Sequence, residues 1–448
     1  MTWTPIRCVY ETTLACDLRC RHCGSRAGAA RPAELTTVEA RDLFRQVAGL
    51  GCQRVTLSGG EPTLRPDWPE LIAGARAVGL QVGMISNGLR FDREAAHTAR
   101  EHGLEGIGFS LDGIGATHDR VRRPGHFAAT MAAVAAAQEA RLPVTLITTL
   151  NRHNLGELDQ LYALVRAVGA YSWQVQPGIP MGNLRDHPEL ELDPRDLPRI
   201  ERALAALILR GEQRVAVANT FGWFGPHEAT LRGGQPTSRF QGCAAGTRTL
   251  GIASNGDVKG CLAILPGGGP GAERYVEGNL RDSPLAEIWA RPGAFAYNRD
   301  FSLDDLDGFC RACAHAEACR GGCHAVRAAT VGTDNPLCVH RALCEGGVEI
   351  ASTSAPGLRR GLLALALGAL VTATGPGCGD KGETGDTGTP ETHEGDADTD
   401  TDADTDADSD ADSDADSDAD AYDLDLAPRT DLDDDPSGER DGGASSTF

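Results

Sequence analysis

Between residues 6 and 209, apolar positions follow two alternating rhythms. Short runs at 7–12, 54–57, 81–85, 106–111, 144–149 and 172–176 predict β-strands. Between them, 37–50, 68–78, 92–102, 127–141 and 155–168 carry apolar residues three and four apart, the period of a buried helix face. The stretch 197–209 continues in the same style. Six β–α units in series predict parallel strands with right-handed crossovers, hence an α/β fold. Periodicity alone does not decide between an open sheet and a partial barrel.

The rhythm then stops. From Cys243 to Cys344 long apolar runs are scarce, and eight of the chain's 14 cysteines lie in this stretch. A segment of this kind is expected to need metal to hold its fold. After Glu345 a compact apolar run covers 361–374, preceded by Arg359 and Arg360 and followed by Gly375-Pro376-Gly377-Cys378. It is shorter than the roughly 20 residues a helix needs to cross a bilayer. Beyond it Asp occupies every second position from Asp396 to Asp420, a pattern that cannot bury apolar surface and predicts disorder.

Composition changes this picture in two places. The net charge of −22 is local: Gly379 to Phe448 holds 26 of the 64 acidic and 3 of the 42 basic residues. The remainder, 38 acidic against 39 basic, is nearly neutral, so the acidity says nothing about a catalytic partner. The cysteines require a choice between disulfides and metal. No apolar run follows Met1, so no secretory signal is expected and a cytoplasmic setting follows, in which thiols stay reduced. Metal ligation is then the better reading of the cysteines.

The spacing supports it. Cys16-Asp-Leu-Arg-Cys20-Arg-His-Cys23 sets three thiols on one short loop after the first predicted strand. Three thiolates can hold three irons of a four-iron, four-sulfur cluster and leave the fourth open. A closed zinc site wants four ligands, and His22 is available as the fourth, so zinc stays open on this motif alone. Ser58-Gly59-Gly60-Glu61-Pro62 follows the second predicted strand, Ser86-Asn87-Gly88 the third, and Ser110-Leu111-Asp112-Gly113 closes the fourth. Paired glycines let backbone approach a ligand closely, and a carboxylate such as Glu61 can accept from a cationic amine.

In that order these motifs resemble the radical S-adenosylmethionine superfamily, over about residues 7–182. The resemblance implies a partial (β/α)6 TIM-like barrel, a [4Fe-4S] cluster on Cys16, Cys20 and Cys23, and S-adenosyl-L-methionine at the strands' C-terminal ends. It implies Gly59, Gly60 and Glu61 at the methionyl amine, Ser110 and Asp112 toward the ribose, and Asn87 among the cofactor-binding residues. The stretch 144–150 lacks the glycine-rich adenine contact of many relatives; Asn151 and the segment 174–182 stand as substitutes.

The later cysteines run Cys243, then Cys261 five residues after Gly256, then Cys310, Cys313, Cys319 and Cys323, then Cys338. This series is similar to the seven-cysteine SPASM domain, which implies two auxiliary clusters. By that resemblance Cys310, Cys313, Cys319 and Cys338 hold the distal one, and Cys243, Cys261 and Cys323 the nearer one, which is left a cysteine short. An open iron that binds substrate is one expectation for it. A double zinc ribbon is the alternative for this region. Cys344 is a spare ligand, Cys8 and Cys52 are expected to pack as small apolar residues, and Trp173 reads as core.

The expected organisation is a barrel over 1–225, a SPASM domain over 240–345, the apolar segment 357–378 and an acidic tail over 379–448. The expected activity is reductive cleavage of S-adenosylmethionine and hydrogen-atom abstraction from a ribosomally made peptide or protein. Tetrapyrrole side-chain chemistry is the second reading and a non-catalytic iron–sulfur electron carrier the third. Expected partners are the peptide and a low-potential donor such as ferredoxin or flavodoxin, with the leader recognised either by a separate protein or by the SPASM domain. No nucleic acid is expected. For the tail three readings stand: a solvated extension, membrane attachment through 361–374, and a fused substrate-like peptide.

Overall fold

The computed structural model describes residues 3–235, 237–266, 271–330 and 334–346. The apolar segment, Cys378 and the Asp-rich tail, with the readings attached to them, lie outside the described residues. Among the described residues no helix is long and apolar enough to cross a membrane.

The six predicted strands form as β1 (Arg7–Thr13), β2 (Arg54–Gly59), β3 (Gln81–Ser86), β4 (Gly106–Ser110), β5 (Val144–Leu150) and β6 (Ser172–Pro177). They pair in parallel in chain order. All seven residues of β1 are buried, as a strand covered on both faces must be. The helices that follow them are α1 (Thr37–Gly49), α2 (Trp68–Arg76), α3 (Arg93–Glu101), α4 (Ala116–Val121), α5 (His126–Glu139), α6 (Leu158–Ala167) and, after β6, α7 (Leu197–Arg210). α1 shows why such segments become helices. Thr36 and Glu39 form a reciprocal capping box at its start, and Ala40, Leu43, Phe44 and Val47 make one buried face.

The sheet extends beyond the six expected strands at both sides. β7 (Val215–Val217) adds in parallel to β6. With three residues it is too short to show an alternation in sequence. At the other side β8 (Thr249–Ile252) pairs in parallel with β1, and β9 (Asp257–Lys259) and β10 (Gly278–Asn279) follow antiparallel. The result is one ten-stranded sheet in the order β10-β9-β8-β1-β2-β3-β4-β5-β6-β7, open rather than closed. The cysteine-rich region therefore starts within the barrel's own sheet. All four residues of β8 are buried, so this stretch is held by backbone pairing and packing as well as by whatever its cysteines bind.

A buried carboxylate marks the join. Glu11 on β1 accepts from Arg31 Nη2 at 3.1 Å and from Ser254 Oγ at 2.9 Å, the serine lying just after β8. Trp173 is fully buried on β6, its Nε1 donating to Thr148 Oγ1 at 2.8 Å, and Cys8 and Cys52 sit in the main core with thiol pKa values raised by burial.

Removing Arg31 leaves Glu11 buried without its cation. Arg31→Met is expected to cost about 3 kcal/mol of stability and to lower the melting temperature measurably. Arg93→Met, which breaks the exposed pair with Glu139, is expected to stay within about 0.5 kcal/mol of the parent in the same measurement.

Candidate functional site

A parallel sheet brings every strand's C-terminal end to one edge, and the motif residues lie there. The cysteine loop leaves β1 and returns on itself: Gly28 N donates to Leu14 O at 2.9 Å and Cys16 N to Gly28 O at 3.2 Å. Its neck is pressed against the turn after β2. Gly60 N donates to Thr13 O and Glu61 N to Ala15 O, each at 2.8 Å. A Cβ on Gly60 would run into the carbonyls of Leu14 and Ala15. Gly59, at φ +137°, is in backbone space that only glycine enters freely. The loop's far side is held from beyond β6. Asn183 N donates to Cys23 O at 2.8 Å, Asn183 Nδ2 to Cys20 O at 2.9 Å, and a Cβ on Gly182 would strike the carbonyls of Cys23 and Gly24.

Between loop and sheet edge lies a cavity of about 190 Å³. Cys16, Cys20 and Cys23 line it together with Gly59, Gly60, Asn87 and Ser110. From the segment 174–182, Gln176, Pro177, Ile179 and Met181 also line it. Asn151 does not: it is fully buried in the turn after β5, its backbone N–H donating to Asn154 Oδ1 at 2.8 Å.

Glu61 and Asp112, expected at the methionyl amine and the ribose, lie behind this wall. Both are fully buried and their oxygens are occupied. Glu61 Oε1 accepts from Thr63 Oγ1 at 2.7 Å and Ser86 Oγ at 2.9 Å, and Oε2 from Asn87 N at 2.7 Å. Burial raises its pKa against these bonds. Its place in the fold is to clamp the β3 turn that presents Asn87. Asp112 Oδ2 accepts from Arg122 Nε at 2.6 Å and meets His22 Nε2 at 2.8 Å, while Oδ1 accepts from Thr149 N at 2.8 Å. Burial opposes its charge, but Arg122 and then His22 prevail and hold the carboxyl well below the usual range. His22 thus spends Nε2 on Asp112.

Behind Asp112 lie two stacked imidazoles. His118 Nδ1 accepts from Asp112 N–H at 3.0 Å, so its proton sits on Nε2 and is donated to His126 Nδ1 at 2.7 Å. Burial holds His118 down to about 3 and His126 to about 4, so both are neutral.

The residues fit the groups that the motifs imply. Two buried polar atoms on cavity-lining side chains, His22 Nδ1 and Gln176 Oε1, have no protein partner, as expected where a polar ligand completes the site. Sequence reasoning passed over Gln176 as an individual residue and missed Thr149 and Arg122, which also line the cavity. The strand-end position of Thr149 was the available signal; Arg122, on the turn after α4, gave none. Among the described residues no group of three or more His, Cys, Asp or Glu is set to hold a single metal ion. A zinc ion, with bonds of about 2.3 Å to sulfur, needs a tighter set than a cube does. Cys20 nonetheless feels the charge of Cys23 and Cys16, so the three thiols share one neighbourhood.

The later cysteines form two separate groups. Cys319 lies close enough to feel Cys338, Cys310 and Cys313. Cys323 hydrogen-bonds to Cys243 and also feels Cys261. Bonding to Cys323 drives the Cys243 thiol well below its ordinary value and Cys323 well above it. Cys243, Cys261 and Cys323 line a second, smaller cavity, which shares Ala263 with the first.

Residues 10–165 match the family model of the radical SAM superfamily, and 243–314 that of the SPASM iron–sulfur cluster-binding domain. The chain is 30% identical over 361 residues to the AdoMet-dependent heme synthase of Methanosarcina barkeri, covering 76% of this chain and 98% of that protein. It is 32% identical over 328 residues to the mycofactocin maturase MftC of Mycobacterium ulcerans, covering 72% and 84%. Among solved structures, Streptococcus suis SuiB bound to S-adenosylmethionine shares the fold at a TM-score of 0.59 and 19% identity, over 74% of this chain and 76% of that one. SuiB bound to its precursor peptide SuiA matches at 0.58 and 17%, over 75% of each chain.

Two outcomes follow from this geometry. Gly182→Ala is expected to reduce iron uptake at the Cys16–Cys23 loop at least tenfold, read by iron content and electron paramagnetic resonance, with an unchanged far-ultraviolet spectrum. Burial raises the Cys16 thiol and pushes Cys20 and Cys338 up to about 12, so metal must displace their protons. Anaerobic reconstitution should therefore release protons and rise in yield from about pH 7 to about pH 9. A yield that fell with pH would contradict it.

Proposed function

Because the chain belongs to the radical S-adenosylmethionine superfamily and carries a SPASM domain, it binds [4Fe-4S] clusters and S-adenosylmethionine, and we propose that it modifies a ribosomally made peptide or protein. In this reading 1–225 is the catalytic barrel and 240–345 the auxiliary-cluster domain. Cys16, Cys20 and Cys23 hold the first cluster. Cys310, Cys313, Cys319 and Cys338 hold the distal auxiliary cluster, and Cys243, Cys261 and Cys323 the nearer one. When bound, the first cluster and S-adenosylmethionine supply a 5′-deoxyadenosyl radical that takes a hydrogen atom from an unactivated carbon.

The chain's own residues do the rest. Gly59 and Gly60 bring strand-end backbone to the cavity, and Asn87, Ser110 and Gln176 offer it polar groups. Glu61 and Asp112 are positioning residues, one setting the Asn87 turn and the other fixing His22 and Arg122 at the cavity wall. Pro177, Ile179 and Met181 add an apolar side that limits water near the reacting carbon. A low-potential donor such as ferredoxin or flavodoxin supplies electrons, and a separate protein presents the precursor's leader.

The observation that carries the peptide reading is the kinship with mycofactocin maturase, together with the fold shared with the peptide-bound SuiB. Tetrapyrrole modification remains the second reading, because the similarity to heme synthase spans 98% of that protein.

Reduced, cluster-loaded protein with S-adenosylmethionine is expected to release 5′-deoxyadenosine, faster with a candidate precursor peptide encoded beside the gene. The Cys16→Ala, Cys20→Ala and Cys23→Ala variants should each lose that release by at least a thousandfold. If an iron porphyrin accelerates it and no peptide does, the second reading replaces the first.

A further inference from the structure

Cys243, Cys261 and Cys323 supply three thiols where a four-iron cluster has four irons. Their cavity holds the remaining candidates. It is lined by the apolar Phe240, Ala245 and Ala263 and by three residues with side-chain oxygen, Asn219, Thr220 and Thr249. Asn219 Oδ1 accepts from Arg232 Nη1 at 3.0 Å, and Thr249 Oγ1 donates to Gly260 O at 3.1 Å. Thr220 differs. It is 2% exposed, and its Oγ1 is a buried polar atom with no hydrogen-bond partner.

A buried hydroxyl without a partner costs about 1–3 kcal/mol, so its persistence calls for a ligand. Water and iron are the two that chemistry offers at this place. Three thiolates share the cavity with this hydroxyl, and the iron they leave bare is a Lewis acid with no thiolate of its own. We propose that Thr220 Oγ1 coordinates this fourth iron of the nearer auxiliary cluster, so that the corner is closed by the protein and not by substrate. The bond uses an oxygen lone pair and transfers no electron. The inference rests on the assignment of Cys243, Cys261 and Cys323 to that cluster.

The same geometry limits what the corner can do. The cavity lies beside the first one, across Ala263, whose backbone N–H also points to Cys261 Sγ at 3.4 Å. A cluster closed by Thr220 acts on substrate chemistry through that wall as an electron site rather than as a substrate anchor.

The test uses the full chain with Cys16, Cys20 and Cys23 replaced by alanine, which removes the first cluster's signal. Mössbauer spectra of iron-57-loaded protein should show one iron distinct from those with thiolate ligands. Thr220→Val, nearly the same shape without the hydroxyl, should lose about one iron per chain on mild oxidation and show a three-iron paramagnetic signal. Thr220→Ser should restore the parent spectrum, and Thr220→Cys should keep all irons while turning the distinct one thiolate-like. Val and parent spectra that cannot be told apart would overturn the proposal. So would oxygen-17 broadening from labelled water in the parent, which assigns the corner to solvent. Iron and sulfide enough for only one cluster, unaffected by Cys261→Ala, would instead bring down the ligand assignment beneath it.

Discussion

The structure turns on backbone placed against backbone at the C-terminal edge of the parallel sheet. The loop that carries Cys16, Cys20 and Cys23 can lie there only because two positions, Gly60 on one side and Gly182 on the other, have no Cβ. The amides around them donate to the loop's carbonyls, so main-chain hydrogen bonds set most of the loop's position, with Asn183 Nδ2 adding one side-chain donor. Everything the site does, from gathering three thiols to leaving a cavity beneath them, follows from that contact.

Charge within the edge is arranged so that little of it meets the cavity unpaired. Asp112 is fully enclosed, yet an arginine, an imidazole and a backbone amide all aim at it. A buried carboxylate with this company is worth more as a fixed anchor than as an acid or base. The neutral His118–His126 pair behind it carries no charge of its own to disturb the balance. Glu61 has the same role at the neighbouring strands, spending both oxygens on the turns after β2 and β3. Both carboxylates hold in place the turns and side chains that reach the cavity.

The cysteine-rich region is bound into the same edge. β8 continues the sheet from β1, and Glu11 joins Arg31 from the cysteine loop's return to Ser254 beyond β8. Cys261 lies a few residues past this hairpin, so its cavity is carried to within one side chain, Ala263, of the first. Distance between the two sites is thereby fixed by strand pairing, a stiffer constraint than a linker between separate bodies.

The chain's own pattern determined much of this. Six strand–helix repeats, the order of the motifs and the C-x3-C-x2-C loop were legible because each depends on residue type and local spacing. The family's residues at Cys16, Cys20, Cys23, Gly59, Gly60, Asn87 and Ser110 do meet around one cavity. What only the tertiary structure decided was direction and company. The retreat of Glu61 and Asp112 from the wall, the arrival of Arg122 and Gln176 at it, and the pairing of β8 with β1 all depend on partners far apart in the chain. Thr220 is the clearest case: 23 residues before Cys243 it is an ordinary threonine in sequence, and its unpartnered hydroxyl is defined only by what the fold places around it. Local spacing fixes which chemistry a chain can carry. Long-range packing fixes which atoms are left free to perform it, because a side chain's hydrogen bonds are spent on neighbours that no short window of sequence contains.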